Sequence, residues 1–162
     1  MNKTIRLFTA STTINMAPVP VALCGKSSTM ASSFSKALLP EYEIVHHFES
    51  TDAVHKELPM LLRGEKIKPS SGGGSNAESD ETKIPKAVVV GAGFSESELD
   101  EMRKIEGAQS LPWLYPDPLK SAASMLSGPF LMTVIVKRAK GCLKSNGLVE
   151  GKEPEAKGIW SF

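Results

Sequence analysis

Apolar residues in this chain come in short dense runs, and most runs are followed by a stretch in which they recur every three or four positions. "VPVALCG", Val19 to Gly25, is brief, apolar and ends at a glycine, as a strand covered on both faces does. "KSSTMASSFSKALL" then offers Ser27 or Ser28 as an N-cap and sets Met30, Phe34, Leu38 and Leu39 at helical spacing before Pro40 stops it. "YEIVHHF", Tyr42 to Phe48, predicts a second strand. Ser50 caps a second helix through Ala53, Val54, Leu58, Leu61 and Leu62, which Pro59 should kink or divide. "KAVVVGAG", Lys86 to Gly93, predicts a third buried strand. In the helix that follows, "SESE" pairs Ser95 with Glu98 as a capping box, and Leu99, Met102 and Ile105 form the apolar stripe. "SLPWLYPDP", Ser110 to Pro118, gives a short fourth strand ending in a proline-rich turn. "FLMTVIV", Phe130 to Val136, has strand propensity alone, but Leu131, Val134, Ile135, Ala139, Cys142 and Leu143 keep helical spacing. Pro129, the basic cluster Lys137, Arg138, Lys140 and Lys144, and the stop "SNG" at Ser145 to Gly147 favour a last helix.

The order is β-α-β-α, loop, β-α-β-α, which calls for a single three-layer α/β domain of Rossmann-like or flavodoxin-like type with a mainly parallel four-stranded sheet. Right-handed crossovers make the strand order 2-1-3-4. The domain is expected over residues 18–147, with a flexible extension at 1–17 and a C-terminal tail at 148–162. Between them, "KPSSGGGSNAESDETK" lacks the apolar surface to offset its ordering entropy, so a disordered polar insertion is expected at about 65–85. Strands one and three meet at the topological switch point, and a ligand belongs in the crevice over their carboxyl ends. The candidate crevice residues are Cys24, Gly25, Lys26, Ser27 and Ser28 from the first turn, Gly91 and Gly93 from the second, and Trp113 and Asp117 from the proline-rich turn.

Composition narrows the function classes. With 162 residues, 41% hydrophobic and 23% charged, the chain matches one ordinary globular domain. A formal net charge of +1 gives no long-range field for nucleic acid or an anionic membrane, and no apolar run reaches the length of a membrane helix. A cytoplasmic protein is expected. The alternative is organellar targeting through residues 1–15, "MNKTIRLFTASTTIN", which are basic, hydroxyl-rich and free of acid, with Met16 as a possible start of the structured part. Two cysteines far apart, Cys24 and Cys142, support neither a disulfide scaffold nor a zinc site.

"GAGFSE" carries the first two glycines of a dinucleotide turn, but Glu96 stands where the third belongs and Glu98, Asp100 and Glu101 crowd the helix start. That argues against NAD(P) or flavin, and no cofactor is predicted. "CGKSST" is the better anion cradle, with Gly25, Lys26 and three hydroxyls at a helix N-terminus, although it lacks the Walker spacing. Cys24 reads either as a reactive thiolate there or as a small hydrophobe closing a buried strand; Met30 occupies the place of the arginine that a cysteine phosphatase needs. His46 and His47 point to opposite faces of their strand and, with His55, form no metal cluster. Ser27, His47 and Asp117 could be combined into a triad only on paper, without a nucleophile elbow.

"PVALCGKSSTMASSFSKALLPEYEIVHHF", "LPMLLRGE", "KAVVVGAGFSESELDEMRKI" and "PWLYPD" together resemble a group of small fungal proteins with a Rossmann-like pattern, over most of the chain from about Pro18 to Gly147. The Cys-Gly-Lys turn at Cys24 to Lys26, the Pro-Glu-Tyr-Glu turn at Pro40 to Glu43 and the Pro-Trp-Leu turn at Pro112 to Leu114 carry the resemblance. Some members are similar to accessory proteins of secondary-metabolite gene clusters, such as that for fusaric acid. The resemblance implies an accessory or binding protein and brings no catalytic residue. The residues leave two alternatives: a small enzyme or carrier that binds an anionic substrate or nucleotide at Cys24 to Ser28, and a subunit or scaffold in a complex. Expected partners are a small anionic molecule or biosynthetic enzymes, with self-association open.

Overall fold

The computed structural model describes residues 17–117, 130–152 and 157–162. The expectations for residues 1–16 and for Pro129 lie outside the described residues. The strands are β1 (Val19–Cys24), β2 (Tyr42–Phe48), β3 (Val88–Val90), β4 (Pro112–Tyr115) and β5 (Gly158–Ser161). The helices are α1 (Ser28–Leu38), α2 (Thr51–Leu62), α3 (Glu96–Arg103) and α4 (Phe130–Ser145). Every strand pairing is parallel, and the order is β2-β1-β3-β4-β5. This is the doubly wound α/β arrangement, with one strand more than the sequence pattern predicts.

The extra strand corrects the reading of residues 148–162 as a tail. β5 lies beside β4 with Trp113 opposite Ile159 and Leu114 opposite Trp160. Beyond it, the Phe162 N–H donates to the Tyr115 carbonyl at 3.2 Å and the Asp117 N–H to the Phe162 carbonyl at 2.7 Å. "GIWS" is too short and too isolated among charged residues to announce a strand by its own pattern; the open side of β4 supplies the backbone partners that make it one.

Alternation along the strands divides the core between two helical layers. Val21 and Leu23 of β1, Val89 of β3 and Leu114 of β4 meet Ala31, Phe34 and Leu38 of α1 and Ala139 and Leu143 of α4. The intervening Ala22, Cys24, Val88, Val90 and Trp113 meet Val54, Leu58 and Leu61 of α2 and Leu99 and Met102 of α3. Helix starts follow the sequence signals: Ser27, Ser50 and Ser95 each accept a backbone N–H in the first turn, and Ser95 and Glu98 complete the capping box. Pro59 does not divide α2, which runs unbroken through it.

The polar segment at 65–85 is also better organised than its composition suggests. It packs along the outer side of β2, where the His47 N–H donates to the Gly73 carbonyl at 3.1 Å and the Ser71 hydroxyl to the His47 carbonyl at 2.6 Å. Asn76, buried, closes the segment on itself through both backbone groups of Lys83 at 2.8 and 2.9 Å. Backbone and amide pairing replaces apolar burial here, and hydropathy does not see it. β2 carries a bulge at this point, since Val21 pairs with Ile44 and Ala22 with His46, leaving Val45 over.

Candidate functional site

A cavity of about 560 Å3 opens where β1 and β3 end. Its lining includes Cys24 to Ser27 on one side and Gly91 to Gly93 on the other, the two turns of the topological switch point. Its walls are apolar and come from the facing helices and the residue after β5: Met30 and Phe34 from α1, Leu131 and Ile135 from α4, and Phe162. The volume is that of an ordinary small-molecule site.

The first turn is exposed and tied down by its backbone. The Gly25 N–H donates to the Phe48 carbonyl at 2.9 Å, and His47 Nε2 contacts the Gly25 carbonyl at 2.7 Å. The Ser27 hydroxyl accepts the Met30 N–H as the N-cap of α1. Ser28 turns to a second cavity, of about 400 Å3, between α1 and the segment at Gly72 to Ser75, and does not line the first. Cys24 is fully buried and packs with Phe48 and Val90 in the core on the α2 and α3 side of the sheet. Burial pushes its thiol far above the ordinary value, so the reading of Cys24 as a thiolate fails on desolvation.

The second turn is anchored in the core. Phe94 is buried among α2 and α3 residues, and its carbonyl accepts the Tyr115 hydroxyl at 2.7 Å. Neither glycine needs a left-handed backbone. A Cβ on Gly91 would approach the Cys24 carbonyl oxygen to 3.2 Å, so this glycine lets β1 and β3 close on each other. A Cβ on Gly93 would meet only the Lys26 stem, at 3.6 Å. Both glycines thus lie in close contacts within the protein.

Lys26 joins the two turns. Its stem lies along Gly93, its Nζ sits 4.9 Å from the centre of the Phe94 ring, and it reaches both oxygens of Glu98 at 3.0 and 3.2 Å. Glu98 is held below its ordinary carboxylate value, first by the Ser95 N–H and then by the Lys26 ammonium. The cation that the sequence assigns to an anion is thus already paired. Arg138, from α4, also lines the cavity and is itself engaged.

Trp113 does not reach the crevice. It is fully buried on the opposite face of the sheet, where its indole N–H donates to the Ala108 carbonyl at 2.8 Å. One step in strand register decides this, and the sequence does not say which of Trp113 and Leu114 faces which layer. Asp117 prolongs the β4–β5 pairing through its backbone, while Pro116 lines the cavity. His46 and His47 do point apart: His46 lies 3.4 Å from Glu57 in the core under α2, and desolvation lowers its pKa against the opposing pull of Glu57. The sequence reading missed Leu131, Ile135, Arg138 and Phe162 as cavity residues; helical spacing marked the first two, but nothing in it aimed α4 at the crevice.

Among the described residues, no helix is long and apolar enough to cross a membrane, and no group of His, Cys, Asp or Glu is placed to hold a metal. No family model and no solved structure matches the chain. Among curated proteins, kojic acid related protein 6 of Aspergillus oryzae is 34% identical over 127 residues, which cover 76% of this chain and 75% of that protein.

Proposed function

The chain belongs to the family of the Aspergillus oryzae kojic acid related protein 6, and from that premise we propose that it is an accessory protein of fungal secondary metabolism that binds a small molecule at the switch point. The name of the relative connects that protein with kojic acid and supports the metabolic setting. The observation that carries the binding role is the apolar cavity of about 560 Å3 over the carboxyl ends of β1 and β3. Its polar rim favours binding over catalysis. Lys26 is paired, the Ser27 hydroxyl caps α1, and the Cys24 thiol is held protonated in the core.

Thermal-shift screening of the purified protein against metabolites of the producing fungus tests this. A ligand that binds only the native state stabilises it by about 2.7 kcal/mol at a hundredfold excess over Kd and raises Tm accordingly. The expected hit loses its shift in Ala31→Trp, which fills the cavity from α1. Turnover of an intermediate by the protein alone, abolished by Lys26→Ala, would replace the accessory role with an enzymatic one. Deletion of the gene should change the fungal metabolite profile without changing growth on rich medium.

A further inference from the structure

Resting on that reading, we propose that the crevice selects uncharged, mostly apolar molecules, and that the Lys26–Glu98 pair is the element that keeps anions out. The cavity walls offer apolar side chains over most of their area, and of the polar side chains that line it Lys26 is engaged with Glu98, the Ser27 hydroxyl with the Met30 N–H, and Arg138 is engaged as well. An anion arriving at the first turn must displace a carboxylate that is fixed from behind. Glu98 accepts the Ser95 N–H at 2.8 Å while the Ser95 hydroxyl accepts the Glu98 N–H at 3.2 Å, so the capping box presents the carboxylate to Lys26 in a set position. The ammonium is further held over the Phe94 ring, and its stem rests on Gly93.

The competition is unequal. A carboxylate supplied by the fold has no translational freedom to lose on pairing with Lys26, whereas a dissolved anion has, and must also give up hydration to enter an apolar cavity. Glu96 puts a second carboxylate in the same first turn of α3 as Glu98. A neutral apolar ligand also loses translational freedom, but it has no ionic hydration to give up and no paired charge to displace. It needs only the wall between α1 and α4, and it leaves the strap across the turns intact.

Nile red serves as a neutral reporter of the cavity, with octanol and octanoate as displacers of equal chain length at neutral pH. Nile red is expected to bind saturably and to lose that binding in Ala31→Trp and in Ile135→Trp, which fill the cavity from opposite helices; circular dichroism verifies that each variant is folded. Octanol is expected to displace the reporter at lower concentration than octanoate. The decisive variant is Glu98→Gln, which keeps a residue able to cap Ser95 and removes only the charge. It should improve octanoate displacement by about threefold and leave octanol unchanged. Octanoate displacing better than octanol in the wild type, with that preference lost in Lys26→Met, would overturn the selectivity and leave the binding site standing. An unchanged octanoate response in Glu98→Gln would also overturn it. Nile red binding that survives both folded tryptophan variants, or is absent from the wild type, would instead remove the cavity as the binding site and the proposed function with it.

Discussion

The two turns that face each other across the switch point begin alike and are held in opposite ways. Each follows a buried strand, contains glycine and ends in a serine N-cap with nearly the same geometry, at 3.3 Å for Ser27 and 3.2 Å for Ser95. The second is fixed from below, by Phe94 in the core and Tyr115 on its carbonyl. The first leaves Lys26 through Met30 exposed and is fixed through its backbone to β2. Glycine and a helix start therefore do not make a phosphate site by themselves. What surrounds the turn decides whether its N–H groups and charges are available to a ligand.

The largest effect is expected where the difference is greatest. Phe94→Ala should cost about 3–5 kcal/mol in urea denaturation, as for other buried aromatics, whereas Met30→Ala on the first helix should stay within about 0.5 kcal/mol. Equal losses would erase the contrast between a turn anchored in the core and one that is not. Cys24→Ser should cost about 1–3 kcal/mol by placing a hydroxyl in a fully buried apolar position. In the native protein a thiol reagent should modify the partly exposed Cys142 before Cys24; rapid modification of Cys24 would revive the thiolate reading.

The two N-caps should lose about 1 kcal/mol each on Ser27→Ala and Ser95→Ala, because cap chemistry is what the turns share. A wide gap between them would place part of the difference in the caps. Gly93→Ala should stay within about 0.5 kcal/mol, since the added methyl meets only a lysine stem at ordinary contact distance. Gly91→Ala should be the worse of the two because its neighbour is backbone. The smallest effect concerns pH. The depressed Glu98 carboxyl contributes stability that is complete above its unfolded value near 4.5 and is lost as pH falls through the lower folded value. Wild type and Glu98→Gln should therefore differ in urea midpoint at neutral pH and converge well below 4.5; parallel profiles would show that neither the Ser95 N–H nor Lys26 holds the carboxylate in solution.

The elements that rest on local signals were legible in the sequence. Strand runs, serine caps and helical stripes pointed to β1 through β4 and to the four helices of the described residues, and crossover handedness to the crevice. The parts that depend on distant partners were not. β5 needs the open side of β4, the segment at 65–85 needs β2, and the choice of face for Trp113 needs the sheet's register. Lys26 shows the same limit at the site. Its charge at a helix start was visible, but its partner Glu98 lies 72 positions away, and only the fold brings the two together.

Gly74 bears on solubility more than on binding. Its φ of +97° suits a residue without a side chain, and a Cβ there would fall 2.5 Å from the Val45 carbonyl oxygen, at the bulge of β2. Any larger residue should lift the polar strip off the strand and expose a row of unpaired backbone groups, the kind of edge along which sheets from different molecules join. A glycine in a stretch that looks like spacer would then guard the protein against aggregation, and Gly74 variants should form larger assemblies than the wild type in light scattering well before they lose the crevice.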